Sequence, residues 1–437
     1  MKKITFAFFI FLLCLKTSLQ AQNFVGGNIG QYSGIFGVLE NPALAKDDSY
    51  KLDVNLFAVS GFLGNDYVAI DFSDWNSFRD GFNFDTDLSR SPNPRNKFFG
   101  NGDVLGPSVL FQLNSTSGLA ISSRFRTFFN IYNLDGEIYD LASSVDINSD
   151  FGVTLEQLSG TGHGWGEVGL SYARTLINSN QLELNAGVTL KYLIGGGGVF
   201  GYSQRLQANY ASSNKALTTS GSLDYAYTEG FENDSFSLSS GSSGLGADLG
   251  ISFKIPSSDQ SLSSYKLKGG ISITDLGKVS YDNSTFFDYD LNATINSDEF
   301  RNKTLDEVLA DNYPGSESRR NLDFQLPTAF RAFVDLPITS GLFVSLQTAV
   351  SLREFGENPS SSLINFITLN PRFEKKWFSI YSPLSFRQYQ SGPAWGLGFR
   401  AGPVMLGSGS ILSNLLASNS YSTDLYVGLR IPIYSKQ

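Results

Sequence analysis

Two consecutive alternating segments, residues 245–254 and 265–274, constrain the fold more than any other feature of this sequence. In the first (LGADLGISFK), apolar side chains alternate with small or polar ones, and the second repeats the pattern after the polar connector PSSDQSLSS. Successive side chains of a β-strand point to opposite faces, so each segment has one apolar and one hydrophilic face. Segments of about ten residues exceed the usual five or six of soluble sheets and match a tilted membrane-crossing strand of about 9–11. The pair predicts a hairpin of a transmembrane β-barrel.

Residues 1–21 have the pattern of a secretory signal peptide. Two lysines precede an apolar run at residues 4–15, and a small-residue exit ends at Ala21. That run is shorter than the roughly 20 residues that a membrane-spanning helix needs, so we expect export rather than a membrane helix. Cys14 is the only cysteine and lies inside this signal. We therefore expect no disulfide and no thiol chemistry after cleavage.

The composition is that of an exported barrel. The chain has 44 Gly, 36 Phe and 20 Tyr but no second long apolar run, and a barrel spreads its apolar residues over every second position. Loss of residues 1–21 with their three lysines changes the net charge from -9 to -12. Such an acidic chain is a poor nucleic-acid binder, because phosphate binding draws on clustered Lys and Arg. We expect a multi-pass protein of the bacterial outer membrane with lipid as its surroundings.

Alternating segments recur over residues 50–437 and predict an antiparallel barrel of about fourteen strands, with sixteen as the upper count. Residues 22–49 are rich in Gly and Asn without sustained alternation. We interpret them as a plug-like segment that precedes the wall or enters its lumen. Short loop helices are predicted at residues 134–145, 304–311 and 411–417. A short connector at residues 64–65 predicts a second wall strand at 66–72.

No residue pattern indicates an enzyme. His163, the only histidine, lies between glycines, and no G-x-S-x-G elbow accompanies it. It offers a metal no second nitrogen or sulfur ligand, and the acidic stretch 282–298 lacks the spacing of a calcium loop. A loop or interfacial role for His163 is the simpler interpretation, with a barrel-embedded hydrolase as the alternative. We expect no cofactor and no bound metal.

Charged residues on the polar parities of the strands are candidates for lining the lumen. They either set solute selectivity or pair with acidic residues to fill a plugged interior, and pairing is the simpler interpretation because paired charges satisfy one another. Trp75, Trp165, Trp377 and Trp395 are predicted near strand ends, where aromatic girdles sit. The candidate lumen-lining residues are Arg124, Arg126, Arg174, Lys191, Asp248, Arg331, Arg353, Arg387 and Arg400.

Two short segments carry a resemblance to known barrels. Asn41-Pro42-Ala43, which follows a Gly-rich stretch, resembles the opening of long-chain fatty-acid-transporter-like outer-membrane barrels. The tail GLGFRAGPVMLGSGSILSNLL…DLYVGLRIPI is similar to that of an uncharacterised barrel family of Bacteroidota. The resemblance implies about fourteen strands, a plug that carries Asn41, Pro42 and Ala43, and passage of hydrophobic compounds. No ligand-binding residue of the transporters matches by motif.

The sequence thus favours passive transport or uptake of a small hydrophobic solute through an outer-membrane barrel. The alternative is a structural or docking barrel with partners in secretion or envelope assembly, a role that one relative of the same superfamily has in type IX secretion. A soluble β-sandwich, with the apolar strand faces packed against each other, is the structural alternative.

Overall fold

The computed structural model describes residues 24–73, 83, 87–142, 147–229, 241–258 and 263–435. The predicted signal peptide and Trp75 lie outside these residues. Twenty strand segments form one sheet whose first and last members pair, and they combine into a closed antiparallel barrel of 14 strands. The predicted barrel and its strand count are confirmed, and the two-layer sandwich is wrong because the sheet closes on itself.

Six strands are interrupted, and three interruptions contain a proline (Pro107, Pro327 or Pro383), which cannot donate to the ladder. The strands are β1 (Tyr50–Asn65), β2 (Asn96–Leu105, Ser108–Asn114), β3 (Ser117–Leu134), β4 (Phe151–Asn178), β5 (Glu183–Ala211), β6 (Ala216–Tyr227, Ser242–Pro256), β7 (Tyr265–Asp290, Ala293–Asn296), β8 (Gly315–Gln325, Ala329–Thr339), β9 (Leu342–Ser351), β10 (Phe366–Lys375), β11 (Phe378–Tyr381, Leu384–Arg387), β12 (Ala394–Trp395, Leu397–Ala401), β13 (Val404–Ser408) and β14 (Ser422–Tyr434).

In the described part of the chain, five α-helices and one 3-10 helix lie outside the wall. Those predicted at residues 134–145, 304–311 and 411–417 are present, and Thr304 caps its helix in a capping box with Glu307. No helix among the described residues has the length and apolar character to cross a membrane. The helices are α1 (Ile35–Glu40), the 3-10 helix Pro42–Ala45, α2 (Gly136–Ala142), α3 (Glu299–Asn302), α4 (Leu305–Asn312) and α5 (Ile411–Leu416).

The two ends of the barrel differ. At one end, which we call the short-turn end, two-residue turns at residues 115–116, 340–341 and 402–403 join neighbouring strands. The wall begins and ends here, because β1 starts and β14 finishes at the paired residues Tyr50 and Tyr434. The connections at the opposite, long-loop end are mostly much longer.

The wall is also unequal in height. Strands β3–β7, the tall half, include β4 with 28 residues and β5 with 29. Strands β9–β13, the short half, include β9 and β10 with 10 residues each and β13 with 5. The tall half therefore rises well beyond the short half at the long-loop end.

The outer surface of the wall carries an exposed apolar band. On β6, Leu245, Leu249 and Ile251 are 74%, 50% and 46% exposed, while their polar or glycine neighbours face the buried interior. Strand β7 pairs Ile271 with Ile251, which confirms the predicted hairpin. On β4 the band covers residues 168–177. The exposed residues between this band and the long-loop end are polar or glycine. The band thus spans about ten residues of a strand, as a lipid-facing wall requires.

Three sequence predictions need correction. Residues 68–70 pair with residues 88–90 in a separate two-stranded sheet, so they form no wall strand. The sequence of residues 279–295 predicts one long strand, but residues 279–290 continue the preceding strand as β7. Trp165 is fully buried in the interior rather than at a girdle, whereas Trp377 and Trp395 are exposed.

Candidate functional site

The barrel interior at the short-turn end contains residues 24–49, the N-terminal segment. Most of its residues are buried, and its backbone is bonded to strands on several sides of the ring. Asn370 Nδ2 donates to the Gly26 carbonyl at 3.0 Å, and Gln112 Nε2 donates to the Ala45 carbonyl at 3.0 Å. A segment that contacts both β2 and β10, on different sides of the ring, lies inside it. Its action as a plug stays a prediction.

The Asn-Pro-Ala motif docks on a glycine-lined part of the wall. Asn41 Oδ1 accepts from the Ala43 backbone N–H at 2.9 Å, which caps the 3-10 helix begun by Pro42. Asn41 Nδ2 donates to the carbonyls of Ile251 at 3.1 Å and Ile271 at 3.0 Å. A Cβ atom on any of four inward glycines would overlap this element, so their absence of side chains lets the segment approach the wall. These glycines are Gly118, Gly187, Gly250 and Gly270.

Ion pairs fasten the same segment elsewhere in the ring. Glu40 pairs with Arg331 of β8. Arg430 of β14 donates to the Ser33 carbonyl at 2.6 Å and pairs with Asp53 of β1 at 3.1 Å. These charged groups are buried, where ionic hydrogen bonds are worth more than at a surface.

A buried ionic layer lies beyond the motif in the tall half. Arg124 pairs with Asp103 and, at 3.2 Å, with Glu167. Arg126 pairs with Asp275 at 2.7 Å and with Glu167 at 3.5 Å. Both guanidinium groups thus bridge two carboxylates from different strands.

Lys191 completes this ionic layer. Its Nζ lies 2.7 Å from Asp248 and 2.6 Å from Asp275, and the Asp275 backbone N–H donates to Asp248 Oδ1 at 2.7 Å. Asp275 has a φ of 59° at a register shift between β6 and β7, which turns its carboxylate toward the cations. The layer therefore combines three basic and four acidic groups in one mutually bonded set.

An aromatic layer follows the ionic one toward the long-loop end. His163 stacks between Trp165 and Phe324, with ring centroids at 4.8 and 4.6 Å, and its Nε2 lies 3.0 Å from the Tyr281 hydroxyl. Phe128 stacks on Trp165 at 5.6 Å. The structure thus places His163 in the interior rather than in a loop or at the membrane interface.

Strand β5 gives the order of these layers along the barrel. Gly187 contacts the motif, Lys191 the ionic layer, and Gly195 and Gly198 the rings of Tyr281 and Phe324. The four-glycine run at residues 195–198 therefore makes room for aromatic side chains inside the wall. Four consecutive glycines predict a strand bend or turn, and the run coincides with a register shift between β4 and β5.

The loop between β9 and β10, residues 352–365, leans over the mouth of the ring onto the tall half. Asn130 of β3 forms a reciprocal pair with the backbone of Ser362, at 2.9 and 3.0 Å. Phe355 stacks on Tyr132 with centroids 4.5 Å apart. The interior is thus covered at the long-loop end as well.

The lumen-lining candidates separate into groups. Arg124, Arg126, Lys191 and Asp248 meet in the ionic layer, and Arg331 contacts the N-terminal segment.

Arg174 does not line the interior. It is exposed on the outer parity of β4 with Leu170 and Tyr172, so that prediction is corrected. Arg353 lies beyond the end of β9, half-buried, and its Nε donates to the Leu326 carbonyl at 3.0 Å. Arg400 is buried and donates to the carbonyls of the β10–β11 turn.

Sequence reasoning missed the acidic partners of the ionic layer. Asp103 and Glu167 lie on inward parities, but a single sequence does not say which strands face each other across a ring. Asp275 shares the parity of the outward Ile271 and Ile273, and only the register shift turns it inward. No group of three or more His, Cys, Asp and Glu suited to a metal ion occurs within the described part of the chain.

The fold and its filled interior define a closed antiparallel β-barrel with an internal N-terminal segment. The chain belongs to the family of unknown function DUF5723, whose model matches residues 42–409. A stretch of 61 residues, 14% of this chain, is 38% identical to 91% of ATP synthase protein 8 from Microtus pennsylvanicus, a match too short to describe the barrel.

Three solved structures are similar to the whole chain. The Ralstonia pickettii toluene transporter TbuX has 10% identity and a TM-score of 0.45, with 95% of this chain and 98% of that one covered. A Pseudomonas aeruginosa FadL homologue has 11% identity and a TM-score of 0.41, with 94% and 97% covered. The TodX monoaromatic hydrocarbon channel deltaS2 mutant has 9% identity and a TM-score of 0.41, with 91% and 93% covered.

Proposed function

We propose that this chain is an outer-membrane β-barrel that lets a small hydrophobic solute cross passively. The exposed apolar band supports a place in a bilayer, because a span of about ten residues per strand, every second one facing outward, matches the hydrocarbon thickness. The short turns, with the start of β1 and the end of β14, then face the periplasm, and the long loops face outward.

The aromatic layer is the observation that carries the solute class. It sets apolar rings directly against the ionic layer, between that layer and the covering loop 352–365. A hydrophobic solute gains most where it leaves water for an apolar, ring-lined space. We propose that solute lodges among Phe128, Trp165 and Phe324, and that movement of the N-terminal segment opens the way to the periplasm.

Trp165 provides a direct test of this proposal. Replacement of Trp75, Trp377 and Trp395 by Phe leaves Trp165 as the only tryptophan, and bromobenzene quenches indole emission on contact. In nanodiscs we expect quenching that saturates with bromobenzene concentration. The matched control keeps Trp377 as the only tryptophan, in contact with lipid, and should show quenching that rises linearly with the bromobenzene dissolved in the bilayer. Identical linear curves for both variants would refute the proposal.

A docking barrel is the second candidate, and the height of the tall half favours it. Strands β4–β7 rise beyond the apolar band with polar exposed faces, and α3 and α4 pack on this extension. Such a rise presents a rigid surface outside the membrane. Gentle detergent extraction that recovers a stable protein partner, together with absent bromobenzene saturation, would favour docking over transport.

Neither proposal includes a catalytic step. His163 is enclosed by rings and offers its nitrogens to Tyr281 and Ser361, which position it within the layer. An esterase screen of wild type against His163→Ala tests this point. Activity in the wild type that disappears in the variant would establish a hydrolase instead.

A further inference from the structure

The interior of the short half differs chemically from the ionic layer. Its inward side chains on β9–β11 are mostly neutral and polar, and several buried atoms there have no hydrogen-bond partner among the residues that the structure describes. Ser345 Oγ, Gln347 Nε2 and Asn370 Oδ1 belong to this set, all on side chains at most 5% exposed. A buried polar atom without a protein partner is costly unless water satisfies it.

These atoms are neighbours in the sheet. Ser345 pairs in register with Asn370, and Gln347 lies two residues farther along the same face of β9. Residues two apart on one strand point the same way, about 6.6 Å from each other. The row continues across the sheet through Thr368 and Ser385, whose hydroxyls lie 2.8 Å apart.

The N-terminal segment supplies the facing side of this row. Asn28 Oδ1 is also buried without a partner. Asn28 lies two residues after Gly26, whose carbonyl accepts from Asn370. It directly precedes Ile29, which packs with Phe333, and Phe333 is paired in register with Gln347. Asn28 is therefore held against the β8–β10 wall.

The row is continuous at both ends. Toward the periplasm, two residues beyond Asn370 on β10, Arg372 borders a small cleft between the segment and the wall. Toward the outside, Arg387 of β11 pairs with Asp424 at 2.9 Å, and its Nε has no partner among the described residues. Its carbonyl accepts from the backbone N–H of Gln390 in the outer loop at 3.4 Å. Gln390 Nε2 is unpartnered as well.

Unpartnered atoms in the tall half are arranged differently. Ser203 Oγ and Ser284 Oγ lie at register shifts of β5 and β7, far from each other in sequence. Arg126 Nε also belongs to a carboxylate-paired guanidinium, and no other described side chain of β3 carries an unpartnered buried atom. Within the described part of the tall half these atoms therefore form no axial row. On β1, outside both halves, Asp53 Oδ1 and Asn55 Oδ1 lack a partner as well.

We propose that this row, the polar column (Asn28, Ser345, Gln347, Asn370 and Arg387), is a hydrated path that conducts water and uncharged solutes of the size of urea while the N-terminal segment stays in place. Hydroxyl and amide groups at each level replace the hydrogen bonds that a moving water gives up. The path is separate from the aromatic layer and from any hydrophobic solute.

Osmotic water permeability of proteoliposomes, measured by stopped-flow light scattering, tests the proposal. Wild type should exceed protein-free vesicles in both water and urea permeability. The double variant Ser345→Ala, Gln347→Met keeps the volume of the column but removes its hydrogen-bonding groups, so its permeability should fall to that of protein-free vesicles. Gln347→Ala widens the column and should raise permeability above wild type.

The matched control lies in the tall half. Ser171→Ala with Thr189→Val removes a buried hydroxyl pair that is bonded at 2.7 Å, outside the column, and should leave permeability at the wild-type value. Heat-modifiable migration on gels confirms that each variant forms a barrel. Wild-type permeability equal to empty vesicles, or an unchanged value in the Ser345→Ala, Gln347→Met variant, would overturn the proposal. Saturable bromobenzene quenching at Trp165 is independent of either result.

Discussion

The tall and short halves of one barrel fill their interiors by opposite means. In the tall half, three cations and four carboxylates bond to one another, and an aromatic layer adjoins them. In the short half, most inward residues of β9–β11 are neutral and polar, and several of their buried atoms have no partner among the described residues. The inward arginines Arg372 and Arg387 are paired with Asp335 and Asp424. The comparison teaches that burial alone does not define a sealed interior. A fully bonded set resists change, whereas an unbonded polar set accommodates water.

Methionine in place of one buried residue in each half gives a matched pair of substitutions, and the one in the tall half should have the largest effect. Lys191 and Gln347 are each 5% exposed, and methionine has nearly the length of both. Lys191→Met leaves Asp248 and Asp275 without their shared cation, so we expect a loss of about 3–5 kcal/mol in the free energy of unfolding. Urea unfolding in lipid vesicles measures it. An unchanged midpoint would show that the ionic layer is not a bonded set.

The motif contact should give an intermediate effect. Gly187→Ala places a methyl group against Pro42 and Ala43, so we expect the N-terminal segment to loosen at a cost of about 1–3 kcal/mol. In an Ala45→Cys background, the rate of labelling by a water-soluble maleimide reports the loosening. The control Gly201→Ala, on the same strand, meets only atoms 4.0 Å away and should label as slowly as the parent. Equal labelling of all three would contradict the docked arrangement.

The short-half counterpart of the lysine variant should cost little. Gln347→Met removes a buried amide nitrogen that has no protein partner, so we expect stability within about 1 kcal/mol of wild type, with a gain rather than a loss. The same urea unfolding measures it. A loss as large as that of Lys191→Met would erase the difference between the two halves.

The smallest expected effect lies on the extension of the tall half. Hydrogen bonds from Lys303 and Asn312 lower the pKa of the Glu299 carboxyl below its ordinary value. A carboxyl whose folded-state pKa is lowered stabilises the fold above its unfolded pKa of about 4.3, and this contribution is lost as pH falls through the lower folded-state value. We expect amide protection of α4 to decline with acid in that window relative to Glu299→Gln at the same pH. Parallel curves for the two proteins would contradict it.

Alternation alone predicted much of the fold. The parities of Leu245, Asp248 and Lys191 identified the outward and inward faces, because side-chain direction in a strand depends only on local geometry. The helix after Thr304 was predictable from its capping box for the same reason. Local patterns also have a limit: residues 68–70 have strand propensity, yet their partner is residues 88–90 rather than the wall.

The interior could be predicted only in part. Arg174 shows why, since a basic residue near a strand end can share the outer parity with apolar neighbours. The pairing of Lys191 with Asp275, 84 residues away, depends on a register shift that no local pattern predicts. The Asn-Pro-Ala motif was recognisable, but its glycine surroundings come from three different hairpins.

The seam between β1 and β14 has a consequence for biogenesis. It joins the first and last wall strands to be synthesised, and the Asp53–Arg430 pair across it also holds Ile35 and Ser33. Sealing the cylinder and seating the amino-terminal region thus share one set of bonds, so neither is complete until the last strand has been exported. Loss of the Asp53–Arg430 pair should therefore appear first as slow insertion of the barrel into the envelope.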